Sequence, residues 1–408
     1  MNNKTMEIDL IGQYYTSINN SKSPGVFALS VYLKESIQPK ILQQAANDLF
    51  RRLPFLNGRV KKGFFHYQYE ILRALAKIES DGKEPLFSDY YNKGSHHMIK
   101  IVYGKQHFTV KATHSICDGR GLSKFTSALL VHYFELLGMD LDRGDVIDCN
   151  GKFTPEEAED AAKRYMTAPP KNFKKKTDSK ATVYRVKSPK SSTQQFLTQS
   201  FDAGRIKAAA KAHDATINQY LLAHIFSVIA KKRDVEGGTG RITGSVQIDC
   251  RSFFESKTLR SFVTAATVFK IENKDFSKMV KHIKNQFNEI TKDSVWEKLY
   301  EQQKMYQNAR FVPRVLKVLA MKMIARMEAG KSTTGISNLG LIKLPAEIES
   351  RIKRIEFPIA IEQGYSNFFS CATIGNTLAL TATFREEGRD IVEAVMKTIG
   401  DIGNGYCD

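Results

Sequence analysis

The chain has 408 residues, 42% of them hydrophobic and 25% charged, a globular composition at a length that fits roughly two domains. Lys and Arg total 61 against 43 Asp and Glu, and the formal charge of +18 favours anionic partners without choosing among phosphorylated cofactors, acidic proteins, nucleic acid and anionic membranes. Cys117, Cys149, Cys250, Cys371 and Cys407 are scattered and form no CxxC pair, which argues against a disulfide framework or zinc site and for a reducing cytosol. The opening MNNKTMEIDLIGQYY has no apolar h-region, and no stretch approaches the ~20 apolar residues of a membrane span.

In chain order, GVFALSVYL (25–33) reads as a strand, and QPKILQQAANDLFRRLPFL carries Ile41, Leu42, Ala45, Leu49 and Phe50 at helical spacing up to Pro54. GRVKKGFFHYQYEI and HHMIKIVYGKQHFTVKATHS read as a further strand and a hairpin turning near Gly104, with Phe108, Val110, Ala112 and His114 on one face by period two. LSKFTSALLVHYFELLG returns to helical periodicity and ends at Gly138, a residue suited to a helix C-terminus. From Pro169 to Lys190 there are eight basic residues, one acidic residue and three prolines, the composition of an exposed linker between two lobes.

The second half restarts with two helices around His213-Asp214-Ala215. ITGSVQIDCRSFF and SFVTAATVFKIE read as strands, and KDFSKMVKHIKNQFNEI and VPRVLKVLAMKMIARMEAG as helices. NTLALTATF and DIVEAVMKTIGDI close the chain as a strand and a helix. No short repeat is present. Interspersed helices and hairpin-type strands give a mixed α+β chain in two lobes, with expected limits of 1–168, a basic crossover at 169–195, and 196–408.

Several motifs fail on inspection. AGKST lacks the upstream glycine of a phosphate-binding loop, since that position is Ala325 in a helical run. EGGTGR follows helical rather than strand sequence, and GISNLG is not GxSxG. No HExxH or paired-cysteine pattern points to a metal. Phe64, Phe65, Tyr67 and Tyr69 could stack bases but equally suit a core, and no nucleic-acid module appears. Arg314, Lys317, Lys322 and Arg326 fall along one approximate helical stripe, compatible with a membrane surface although a solvated face is the commoner use.

THSICDGRG (113–121) lies between the strand-like and helix-like runs. An imidazole of ordinary pKa near ~6.5 can take a proton from a hydroxyl or amine at neutral pH. Asp118 is too acidic to be that base and can instead anchor the loop through an arginine, while Gly119 permits a tight turn into the helix. No well-placed serine or cysteine completes a covalent triad, although Cys117 is near.

HSICDG matches HxxxDG, and with it the chain resembles the coenzyme A-dependent acyltransferase superfamily of chloramphenicol acetyltransferases, alcohol acetyltransferases and peptide-synthetase condensation domains. DLFRRLPFLNGRV, DATINQYLLAHI, VQIDCRSFF and TTGISNLG resemble further family segments in the same order. The resemblance implies two chloramphenicol acetyltransferase-like lobes with a channel between them. It implies acyl-coenzyme A as co-substrate, no permanently bound cofactor or metal, and His114 as general base. Asp118, with Arg251 as its candidate partner, is then structural, and Ser337 and Asn338, in a glycine-flanked loop, are oxyanion candidates or members of an Asx turn. Condensation domains usually carry a second histidine before the motif, where this chain has Thr113, and the plant DFGWG signature is absent. The alcohol acetyltransferase-like branch is the closest description, a monomer suffices, and an acyl carrier protein is the alternative donor.

Overall fold

The computed structural model describes residues 5–82, 86–87, 97–170, 182–186, 193–272, 275–362 and 364–403. In the first half the elements are β1 (Thr5–Glu7), α1 (Leu10–Ile18), β2 (Val26–Leu33), α2 (Pro39–Arg52), β3 (Gly58–Lys62), β4 (Tyr67–Ile71), β5 (Glu79–Ser80), β6 (Ile99–Tyr103), β7 (His107–Thr113), α3 (Gly119–Leu136) and α4 (Ala161–Tyr165). Proline at its first turn starts α2. The α3 helix ends where Gly138 takes a φ of 92°, which a glycine adopts at little cost. Leu29, Val31, Phe108, Val110, Leu49, Phe50, Phe125 and Leu129 pack the strands against α2 and α3 in one core.

The second half comprises β8 (Gln195–Asp202), α5 (Ala203–Ala212), α6 (Ile217–Val235), β9 (Thr243–Asp249), β10 (Val263–Phe269), α7 (Phe276–Asn288), α8 (Lys292–Asn308), α9 (Arg314–Glu328), β11 (Thr334–Leu341), α10 (Ala346–Glu349), β12 (Ile352–Glu356), β13 (Asn367–Ile374), β14 (Thr377–Phe384) and α11 (Arg389–Gly403). A six-stranded sheet in the order β10-β9-β11-β13-β14-β8 packs against α5, α6 and α11 through a second core containing Ile206, Phe226, Phe369, Leu380, Val392 and Ile399. A capping box between Thr216 and Gln219 starts α6, the signature carried by TINQ.

Three expectations are corrected. The 196–408 limit breaks at β12, which runs antiparallel to β2 in the first lobe's sheet, β12-β2-β7-β6-β5. β12 satisfies its backbone hydrogen bonds at an open sheet edge, and that edge lies in the other lobe. Within the crossover, 171–181 and 187–192 lie outside the described residues, but in Thr182–Val186 the side chains of Tyr184 and Val186 are buried. Tyr184 is buried in the second core and its carbonyl accepts from Thr333 Oγ1 at 2.8 Å. TTGISNLG is not a loop but the inner strand β11, paired in parallel with both β9 and β13. Its turn chemistry survives as a bulge between Asn338 and Leu341, where Gly340 takes a φ of 72°.

Candidate active site

β7 delivers His114 to the junction of the lobes. The strand ends at Thr113, and His114 begins the turn that leads into α3, its amide donating to the Gly25 carbonyl at 3.2 Å. The imidazole lies between two aromatic rings. Tyr15 of α1 stacks on it at 4.3 Å between centroids with a 22° tilt, and the Phe27 ring of β2 also lies 4.3 Å from its centroid, tilted by 32°. Nδ1 is buried without a hydrogen-bond partner of standard geometry. Burial pushes the imidazole down to about 4, offset in part by the nearby Cys117 backbone, so it is neutral at pH 7.

Asp118 caps α3, its Oδ1 accepting from the Gly121 amide at 2.9 Å. Its Oδ2 accepts from Arg251 Nη1 at 2.9 Å and from the Phe262 amide at 2.8 Å, so a carboxylate of the first lobe is held by two groups of the second. Arg251 also donates to Asp249 Oδ1 at 2.8 Å, to the Thr258 carbonyl at 3.1 Å and to the Arg260 carbonyl at 2.7 Å. Asp118 is therefore fully engaged away from the imidazole. Gly119 packs closely, since a Cβ there would sit 2.9 Å from Leu339 Cδ2 and 3.1 Å from Phe357 Cζ, side-chain atoms that would have to shift. Cys117 does not line the channel. Burial first, then the Asp118 charge, pushes its thiol well above the ordinary range and keeps it protonated.

A channel of about 770 Å³ opens beside His114, lined by both halves of the chain. α1 contributes Tyr14 and Tyr15, β10 contributes Thr264 and Ala265, α8 contributes Lys298 and Met305, and α9 contributes Ile324 and Met327. Ser337 of β11 lines it. Asn338 does not: it is exposed, and its Oδ1 accepts from the Gly340 amide at 2.7 Å, the Asx turn that was the other reading. The charged lining residues are Asp118, Glu297, Glu301, Glu328 and Glu362 against Lys298 and Lys331, so the net charge of +18 does not reside in the channel wall. Among the described residues no cluster of three or more His, Cys, Asp or Glu is placed to hold a metal ion, and no helix is long and apolar enough to cross a membrane.

Sequence reasoning missed α1 and what it brings. Tyr15 donates to Glu362 Oε1 at 3.0 Å, and burial, reinforced by the Glu328 charge, raises the Glu362 carboxyl above the usual carboxylate range. Asp9 caps α1 through the Gly12 amide at 2.8 Å, and Gln13 ties the helix to Tyr67 by bonds of 2.6 and 3.1 Å. LIGQYYTSI carries no chemical motif, so only the cap Asp9 marked a helix there. The loop at 258–262, which supplies Phe262 and the Arg251 acceptors, was likewise silent.

No family model matches the chain, and no curated protein does. Solved structures do match. The polyketide synthase associated protein 5 from Mycobacterium tuberculosis superposes with a TM-score of 0.59 at 12% identity, covering 98% of both chains. The epimerization domain from the third module of tyrocidine synthetase B gives 0.63 at 11%, covering 98% of this chain and 96% of its own. The trichothecene 15-O-acetyltransferase from Fusarium sporotrichioides gives 0.62 at 11%, covering 96% and 93%. The chain thus has the two-lobed α+β fold common to condensation domains and the chloramphenicol acetyltransferase-like acyltransferases.

Proposed function

We propose that the protein is an acyltransferase that moves an acetyl or other acyl group from a coenzyme A thioester to a hydroxyl or amine acceptor. The observation that carries this reading is His114: a neutral imidazole, held between two rings at the junction of the lobes, beside a channel to which both contribute. As the acceptor oxygen or nitrogen bonds to the thioester carbon, its proton passes to Nε2 and the carbonyl oxygen becomes an oxyanion. Collapse breaks the C–S bond, and the imidazolium returns the proton to the departing thiolate. Ser337 is the oxyanion donor among the side chains expected from sequence, since it lines the channel and Asn338 does not. Attack is direct, because Cys117 and Ser115 are buried at 1% exposure and offer no accessible nucleophile.

The acidic character of the lining suits the uncharged pantetheine arm of a donor better than its phosphates, which belong at a mouth. A carrier protein delivers the same arm, so a condensation-like donor is the second reading, favoured by the condensation-type domains among the structural neighbours. Against it, Thr113 is buried with its hydroxyl bonded to Ser115 and brings no second imidazole.

Thiol release from acetyl-coenzyme A, read against a panel of alcohols and amines, tests the proposal. We expect acceptor-dependent release that His114→Ala lowers by about 10²–10⁴-fold while the fold is kept. A fully active alanine variant would sink the mechanism, and turnover with acylated carrier but not acyl-coenzyme A would establish the second donor.

A further inference from the structure

The α9 helix turns an apolar face to solvent. Val315, Leu319, Met323 and Met327 recur every fourth residue and so form one row along the helix. With Leu316 and Phe311 they are between 55% and 69% exposed. The turn between β3 and β4 extends the row with Phe65 and with Phe64, which is 75% exposed. That turn is fastened to the start of the helix. The Arg314 amide donates to the Phe64 carbonyl at 2.8 Å and Arg314 Nε donates to the Gly63 carbonyl at 2.9 Å, while the Phe65 and Phe311 rings stand 6.3 Å apart. A surface helix ordinarily presents charge to water, and a contiguous apolar row marks a contact surface.

The charges around the row indicate what it contacts. From Lys304 to Met327 there are six basic residues and no acidic one. They do not form the single solvated stripe expected from sequence: Lys317 is buried, and Arg314 is spent holding the turn. Lys304, Arg310, Lys322, Arg326 and, from β3, Lys62 are exposed beside the apolar side chains. Their long stems can lie along an apolar surface while the charges reach outward. The row also meets the channel, since Met327 belongs to both and Met305 and Ile324 line the channel beside it.

We propose that this face docks on an anionic lipid bilayer, with α9 lying in the headgroup region and Phe64 and Phe311 inserted at one end. The cations meet lipid phosphates while the row meets acyl chains, and an apolar molecule leaving the bilayer passes from row to channel without crossing water. Docking does not depend on the reaction proposed above.

The test is sedimentation of the full chain with phosphatidylcholine vesicles, with and without phosphatidylglycerol, alongside light scattering. We expect pelleting that requires phosphatidylglycerol and weakens as salt is raised. Val315→Ser/Leu319→Ser/Met323→Ser should lower vesicle affinity by roughly tenfold or more, with an unchanged melting temperature because the replaced side chains are exposed. Lys322→Glu/Arg326→Glu should remove the preference for anionic vesicles. The proposal is overturned if no vesicle pellets the protein or if the triple variant binds as well as the parent chain. It is overturned equally if light scattering shows a dimer that the triple variant dissociates, or if an acidic acyl carrier protein occupies the row while vesicles do not.

Discussion

His114 is a neutral imidazole because burial beside Tyr15 and Phe27 opposes its protonation. The folded value of about 4 lies below the ordinary 6.5, so the base form persists further into acid than a solvated histidine would allow. The acid limb of kcat/KM is accordingly expected near pH 4 rather than near 6.5, and a pH–rate profile with saturating donor reads it. A limb centred at 6.5 would show that the ring is hydrated in the working enzyme. The sign for stability runs the same way. Below about 6.5 the unfolded chain binds a proton that the folded chain refuses, so stability falls as the pH drops toward 4. Circular dichroism at each pH therefore has to accompany the rates. At this scale the sequence was informative for HSICDG, which stands out as a motif, and uninformative for Tyr15 and Glu362, which no local pattern connects to His114.

The start of α3 shows how one element constrains the site. Gly119 meets Leu339 and Phe357, and Gly121 is tighter still, because a Cβ there would collide with the Leu259 carbonyl of the second lobe. Alanine normally gains up to ~1 kcal/mol over glycine inside a helix. Here the obstacle is backbone and cannot rotate away, so the collision outweighs that gain. Gly121→Ala is expected to destabilise the protein by roughly 1–3 kcal/mol in urea denaturation and to lower activity by displacing the His114 turn. A variant as stable as the parent would show that the lobes separate freely at this point. β11 teaches the opposite lesson about elements. SNLG reads locally as a turn, but β9 and β13 offer edges on both sides and the turn is absorbed as a bulge. Cross-strand pairing of residues distant in sequence overrode the local preference.

At the scale of the molecule, the lobes are joined by charge and by a shared strand. Asp118 and Arg251 are buried and paired across the junction, and Arg260 lies 3.2 Å from Asp9 of the first lobe. β12 adds the second half of the chain to the first sheet. Removing one partner of a buried pair leaves the other uncompensated, which is more costly than never having had the pair. Asp118→Ala is therefore expected to lower stability by about 3–5 kcal/mol and to abolish most turnover. Adding Arg251→Met should cost less than the two changes summed, as read by chemical denaturation of the four proteins. Strict additivity would mean that the pair contributes no coupling between the lobes.

The sequence by itself determined the mixed α+β class, most helices, and the position of HSICDG between a strand and a helix, because helical periodicity, helix-ending glycines and a histidine at a strand end are local properties of the chain. Asp118 was legible as an anchor because a carboxylate of ordinary acidity is better suited to holding an arginine than to taking a proton, and it does bond Arg251. Only the tertiary structure decided which surfaces meet. It set Tyr15 against His114, placed Ser337 in the channel and Asn338 outside it, moved β12 into the other lobe's sheet, and left the apolar row of α9 facing outward. Each of these depends on contacts between residues far apart in sequence, and neither periodicity nor composition records such contacts.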